Sequence, residues 1–340
     1  MITPVDFSFV SAKLHGMRAK LYEGARLDAL TGLRSPFEMM TAVLPSTDVR
    51  DRMDFERKLV EKHVRDLERI RTLLDGANRR LFDWQIERYR LENVKVLLRA
   101  WKTRESVGDV RALLVALPDD YALPVDAIMA APGLTDVMWL LPGETYVSGV
   151  KRGAVQFHDT NKLFFIEAGL DGAYFEELAR RVGALQSADR AEVEDLVRLE
   201  ILIYDALFVA RARLHHNLSD PDVRDFLVAA GAPAPDPRIF EPMIAAKDLP
   251  AMLAALPTRR AILGDADPRD LVALQRALHE RLLLAANRAF YRSMFHMGVV
   301  EAFYYVKRME LANLIRVAEL LRQERPAAEI RRELISVATS

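Results

Sequence analysis

Along most of the chain, apolar residues recur at three- and four-residue steps, the spacing that lines one face of an α-helix. From Phe55 to Lys102 the sequence is dense in Leu, Glu, Arg and Lys, with no proline and a single glycine, Gly76. That pattern predicts amphipathic helix. The stretch 269–325 also lacks proline. Turn signals gather elsewhere, in "LPST" near 44, "LPDDYALP" near 117, "LPGETY" near 141 and "GAPAPDP" near 231. Only "YVSGVKRGAVQF" and "KLFFIEA" read as the two arms of a hairpin. The expectation is an all-α protein with long helices.

The helical pattern repeats. A shift of 220 residues places Leu91, Asn93, Val94, Leu98 and Trp101 on Leu311, Asn313, Leu314, Ala318 and Leu321, and Val110-Arg111 and Leu114 on Ile330-Arg331 and Leu334. A shift of 113 places Val110-Arg111 and Leu114 on Val223-Arg224 and Leu227, while Leu98 meets Arg211, a mismatch. A second landmark lies upstream in each copy, where a short apolar run stops at Leu44-Pro45, Leu141-Pro142 and Leu256-Pro257. Proline stops a helix there because it lacks the amide proton and biases its predecessor away from helical geometry. The two landmarks alternate in one order three times, and a third of 340 residues is about 113. This predicts three helical repeats, 1–118, 119–231 and 232–340, each longer than a usual solenoid unit. Closed around an axis they enclose a central space, and stacked in line they form a rod; periodicity alone does not choose.

Composition narrows the function. Lys plus Arg number 48 against 49 Asp plus Glu, a net charge of −1, which argues against a general nucleic-acid binder. With no cysteine there is no disulfide, thiol nucleophile or zinc ribbon. No basic segment followed by an apolar core opens the chain, and "ILIYDALFVA" is far shorter than the ~20 residues that cross a bilayer. The expectation is a soluble, intracellular chain with no direct membrane span.

Candidate chemistry is sparse. "HERLL" at 279–283 begins like a zinc-protease helix but has Leu283 where the second ligand belongs. His215-His216 fits a helix C-terminus or a solvated loop. Asp119-Asp120 sits in a proline-bounded turn, where acids commonly cap helices. Neither a glycine-rich phosphate loop nor a nucleophile-elbow serine is present. The charges of "YRLENVKVLLRAWK" and "VKRMELANLIRV" read as the polar side of amphipathic helices, with Glu92 and Lys95 three apart, as are Asn313 and Arg316. No catalytic, cofactor or metal residue is predicted.

"YYVKRMELANLIRVAELL" followed by "AAEIRREL" resembles the C-terminal signature of the C subunit of the rotary V-type and archaeal-type ATPases, called d in eukaryotes. The signature places are held by Tyr304, Lys307, Glu310, Asn313, Arg316 and Glu329-Ile330-Arg331. Glu92-Asn93-x-Lys95 through Arg99, and the opening "FSFVSAKLHGMRAKLYEG", are similar to the same family. The middle copy departs, with Ala206 where the others have Asn93 and Asn313, and "RQERPAA" replaces the usual turn after the last signature helix.

The resemblance implies a funnel or collar of three pseudo-symmetric helical units. It also implies two partners, the central-shaft subunits received in a socket and the membrane proteolipid ring beneath the base. The implied role is non-catalytic, passing torque between ion flow and ATP synthesis or hydrolysis in a peripheral complex on the cytoplasmic side of the plasma membrane. Glu92, Asn93, Lys95, Arg99, Lys307, Glu310, Asn313 and Arg316 are the candidate partner-contact or repeat-signature residues. The alternatives are a free-standing helical-repeat adaptor with a partner in its concave face, and an all-α enzyme with an unseen pocket.

Overall fold

The computed structural model describes residues 4–45, 47–229, 231–256 and 270–336. These residues form seventeen α-helices and two 3₁₀ turns, and apart from one bridge between Gly231 and Ala234 no β pairing occurs among them.

In chain order the helices begin with α1 (Pro4–Arg18), α2 (Ala25–Thr31), α3 (Pro36–Val43), α4 (Arg52–Arg71), α5 (Gly76–Thr103) and α6 (Val107–Leu113). Next come α7 (Val125–Ala130), α8 (Leu134–Leu140), α9 (Gly143–Thr160), α10 (Phe164–Gly183), α11 (Ser187–Leu214) and α12 (Asp220–Phe226). The chain closes with α13 (Glu241–Ile244), α14 (Leu249–Ala255), α15 (Leu271–Arg292), α16 (Met297–Arg322) and α17 (Ala327–Glu333).

Local chemistry explains the breaks. The Phe55–Lys102 run divides into α4 and α5 at Gly76, whose φ of 52° is a left-handed conformation that glycine adopts without a Cβ penalty. The prolines at 45, 142 and 257 each follow the end of a short helix, α3, α8 and α14. Ser106 and Ser219 cap α6 and α12 by accepting the amides of Asp109 and Asp222, satisfying donors the first turn leaves unpaired.

The predicted hairpin is not there. "YVSGVKRGAVQF" lies inside α9, and "KLFFIEA" runs into the start of α10. The two helices pack closely because glycines face each other. A methyl on Gly153 would overlap the Phe165 carbonyl, and one on Gly169 would overlap that of Gly149. Small and β-branched residues that suggest strands in isolation here serve a helix–helix contact.

A large apolar core runs through the helices, and a second cluster joins the two ends of the chain. There Leu27 and Leu30 of α2, Met39 and Val43 of α3, and Phe55 and Leu59 of α4 pack with Leu314 and Val317 of α16 and Ile330 of α17.

A polar cavity among the long helices

Three long helices, α5, α11 and α16, bring the polar groups of interest together. Each is followed by a short helix whose central aliphatic residue, Val110, Val223 or Ile330, is fully buried. An amide or acid on the long helix ties down the chain just beyond. Asn93 Nδ2 donates to the Val115 carbonyl (2.8 Å), and the Val115 amide donates back to Asn93 Oδ1 (3.0 Å). Asn313 does the same with Ile335, at 2.8 Å in both directions. These signature asparagines are therefore occupied inside the fold, where they satisfy backbone groups that would otherwise be buried unpaired.

In the middle segment that position belongs to Asp205, not to Ala206 as a constant shift of 113 suggests. The Val228 amide donates to Asp205 Oδ1 at 3.1 Å. Eighteen residues separate Asp205 from Val223, against seventeen between Asn93 and Val110, so one inserted residue displaces the match. Asp205 is fully buried, and its Oδ2 has no hydrogen-bond partner among the described residues. Burial pushes its carboxyl up to about 8, against the lowering pull of the Val228 amide and Arg152.

Of the other predicted residues, Lys95, Lys307 and Glu310 are buried, unlike residues on a solvated helix face, whereas Glu92 and Arg99 are exposed. Lys95 is buried and pairs with Asp171 of α10 and with Glu92 (3.2 Å), whose own side chain is half exposed. Arg99 makes a bidentate bond to Glu167 of α10, 2.7 Å on each arm. Lys307 is 3% exposed, 2.9 Å from Asp66 of α4 and 3.5 Å from Glu310. Glu310 accepts the Tyr22 amide at 2.8 Å, which holds the α1–α2 connection onto α16. Arg316 reaches the Glu333 carbonyl at 3.3 Å.

One cluster is not foreshadowed by the sequence pattern. Arg88, Glu200 and Arg308 each stand five residues before Asn93, Asp205 and Asn313, and their side chains meet. Arg88 Nη1 lies 3.1 Å from Glu200 Oε1, Arg308 donates to the same oxygen, and the Tyr305 hydroxyl donates to Oε2 at 2.7 Å. Burial alone would raise the Glu200 pKa, but Arg308 and Arg88 outweigh it and hold the carboxyl below its usual range. A shift of 112 aligns Arg88 with Glu200, but opposite charges carry no repeat signal in a comparison of residue types.

Beside this cluster opens a cavity of about 430 Å³. Arg88, Glu200 and Arg308 line it, and Lys95, Arg99 and Arg211 approach from α5 and α11. Phe164, Phe175, Tyr204 and Phe208 supply aromatic surface. His216 stacks on Phe164 at 3.8 Å, and burial lowers its pKa. His279, whose setting suggested a broken metal motif, lines the same space, with its pKa lowered to about 4 by burial and then by Arg308 and Arg88. Both rings are therefore neutral at pH 7. Among the described residues no group of His, Asp or Glu is arranged to hold a metal ion, and no helix is long and apolar enough to cross a membrane. A mixed aromatic and charged cavity of this kind can grip a protein segment.

Residues 10–333 match the model of the ATP synthase (C/AC39) subunit family. The chain belongs to that family. It is 20% identical to the A-type ATP synthase C subunit of Methanosphaera stadtmanae over 296 residues, covering 84% of this chain and 75% of the relative. The protein of the same name from Methanocaldococcus jannaschii is 21% identical, covering 99% and 88%. That of Methanothermobacter thermautotrophicus is 20% identical, covering 93% and 84%. Family membership accords with an all-helical chain and implies other ATP synthase subunits as partners. At these identities the general pattern carries over, whereas individual contacts must come from the geometry of this chain.

Proposed function

We propose that this chain is the non-catalytic coupling subunit of a rotary A/V-type ATP synthase or ATPase, built as three pseudo-symmetric helical repeats closed into a collar. In this reading 1–118, 119–231 and 232–340 are the repeats. The cavity receives the end of the rotating shaft, and the base rests on the membrane proteolipid ring at its cytoplasmic side. Torque then passes between ion flow and ATP synthesis or hydrolysis.

The observation that carries the reading is the meeting of Arg88, Glu200 and Arg308. They hold equivalent places on three long helices and converge at one cavity, as copies around an axis would. Closure has support of its own. Arg111 pairs with Asp126 of α7, and Arg224 with Glu241 at the start of α13, each reaching forward to the next segment. Arg331 of the last short helix lies 3.9 Å from Asp28 of α2, back at the beginning. A linear stack would hold that last arginine away from the first segment. A torque-bearing part must resist deformation, and close-packed interiors with paired buried charges do so.

Affinity capture with the tagged full chain at low salt tests the reading. Shaft subunits and the proteolipid ring of an A-type complex should be retained together. Retention of one unrelated protein would replace the proposal with a free-standing adaptor, and a tightly held small molecule or divalent metal would replace it with an enzyme.

A further inference from the structure

We infer that whatever occupies the cavity presents a carboxylate to Arg211. The inference rests on the coupling role and names the chemistry of the shaft end that the cavity accepts. Five cations line the cavity against three carboxylates, Glu167, Asp171 and Glu200. Four of the cations are answered from within the chain. Glu200 takes Arg88 and Arg308, Asp171 takes Lys95, and Glu167 takes both arms of Arg99. Arg211 is the exception among the described residues. It is exposed, and its Nη2 donates only to the neutral amide oxygen of Gln275, at 2.9 Å.

Position sharpens the contrast. Arg99, Arg211 and Glu319 stand six residues after Asn93, Asp205 and Asn313. Arg99 has its acid in Glu167, and Glu319 is itself an acid that holds Arg322 and Arg52. Of these three, the α11 member alone lacks a counter-charge among the described residues. The neutral rings of His216 and His279 leave the positive excess unchanged. Phe164, Phe175 and Phe208 stand beside it. The cavity therefore fits the tip of a protein helix carrying an Asp or Glu next to apolar side chains, with the guanidinium available as a bidentate fork.

The test measures binding of the full chain to the purified shaft subunits of its own complex at two salt concentrations. The set comprises wild type, Arg211→Glu, Arg211→Gln, Arg211→Lys and, for the same change of net charge at a residue that does not line the cavity, Arg238→Glu, with far-UV circular dichroism to establish folding. Arg211→Glu should raise Kd by at least roughly tenfold, Arg211→Gln by less, and Arg211→Lys by about threefold or less, while Arg238→Glu leaves it unchanged. The salt dependence should flatten in Arg211→Gln. Equal binding by wild type and folded Arg211→Glu overturns this inference and leaves the coupling role intact, as does an equal loss in Arg238→Glu. Failure of the wild type to bind the shaft overturns the coupling role itself.

Discussion

Replacing Asp205 by Asn should stabilise this protein, and the gain should grow with pH. Asn93 and Asn313 each offer an acceptor and a donor to the chain beyond their helix. Asp205 offers the acceptor, and its second oxygen finds no partner among the described residues. Burial is the main cause of its carboxyl rising to about 8 from 3.8; Arg152 opposes the rise and Glu176 adds to it. The folded chain therefore binds this proton more tightly than the unfolded chain. Stability from this group is fully present below about pH 4 and is lost as pH rises towards 8. At about 1.36 kcal/mol per pH unit, the cost accumulated by pH 7 is on the order of 4 kcal/mol. Asparagine has the same shape and does not titrate. Glu301, raised to about 8 by burial and by Glu200, titrates in both chains and cancels in the difference. Urea unfolding of both proteins at pH 5, 6, 7 and 8 measures the effect. The midpoint difference should be small at pH 5 and widen steadily to pH 8. A difference that stays constant with pH, or a less stable variant at pH 8, refutes the account.

Two further substitutions probe the fold that frames the cavity. Glu200→Gln removes the carboxylate that Arg88 and Arg308 share and should cost about 3 kcal/mol or more in chemical denaturation, because two enclosed guanidinium groups lose their counter-charge; a loss below about 1 kcal/mol contradicts the cluster's structural weight. Gly153→Ala should lower stability by about 1–3 kcal/mol by forcing α9 from α10, whereas Gly16→Ala in α1, where a Cβ meets nothing, should be neutral or slightly stabilising. Similar melting temperatures for the two alanine variants would remove the close-approach argument.

The all-helical character, the long helices in 55–102 and 269–325, and the stops before each Leu-Pro were all legible in the sequence. They follow from periodicity, helix propensity and the missing proline amide, which act between neighbours in the chain. Asn93 and Asn313 were visible as a matched pair for the same reason, since both sit on the same face of similar helices. Their task was not, because it depends on Val115 and Ile335, which lie beyond a short intervening helix.

Three features emerged only in three dimensions. The α9–α10 contact turns strand-like residues into helix, since tertiary packing outweighs local preference where glycines permit close approach. Asp205 replaces an asparagine one residue out of register, a displacement that only the bond to Val228 reveals. Arg88, Glu200 and Arg308 come from positions more than a hundred residues apart, and nothing in their types predicts that they meet. Local spacing determines which segments are helices, but which charges are buried together, and which cavity cation lacks a counter-charge among the described residues, depends on how those helices are brought side by side.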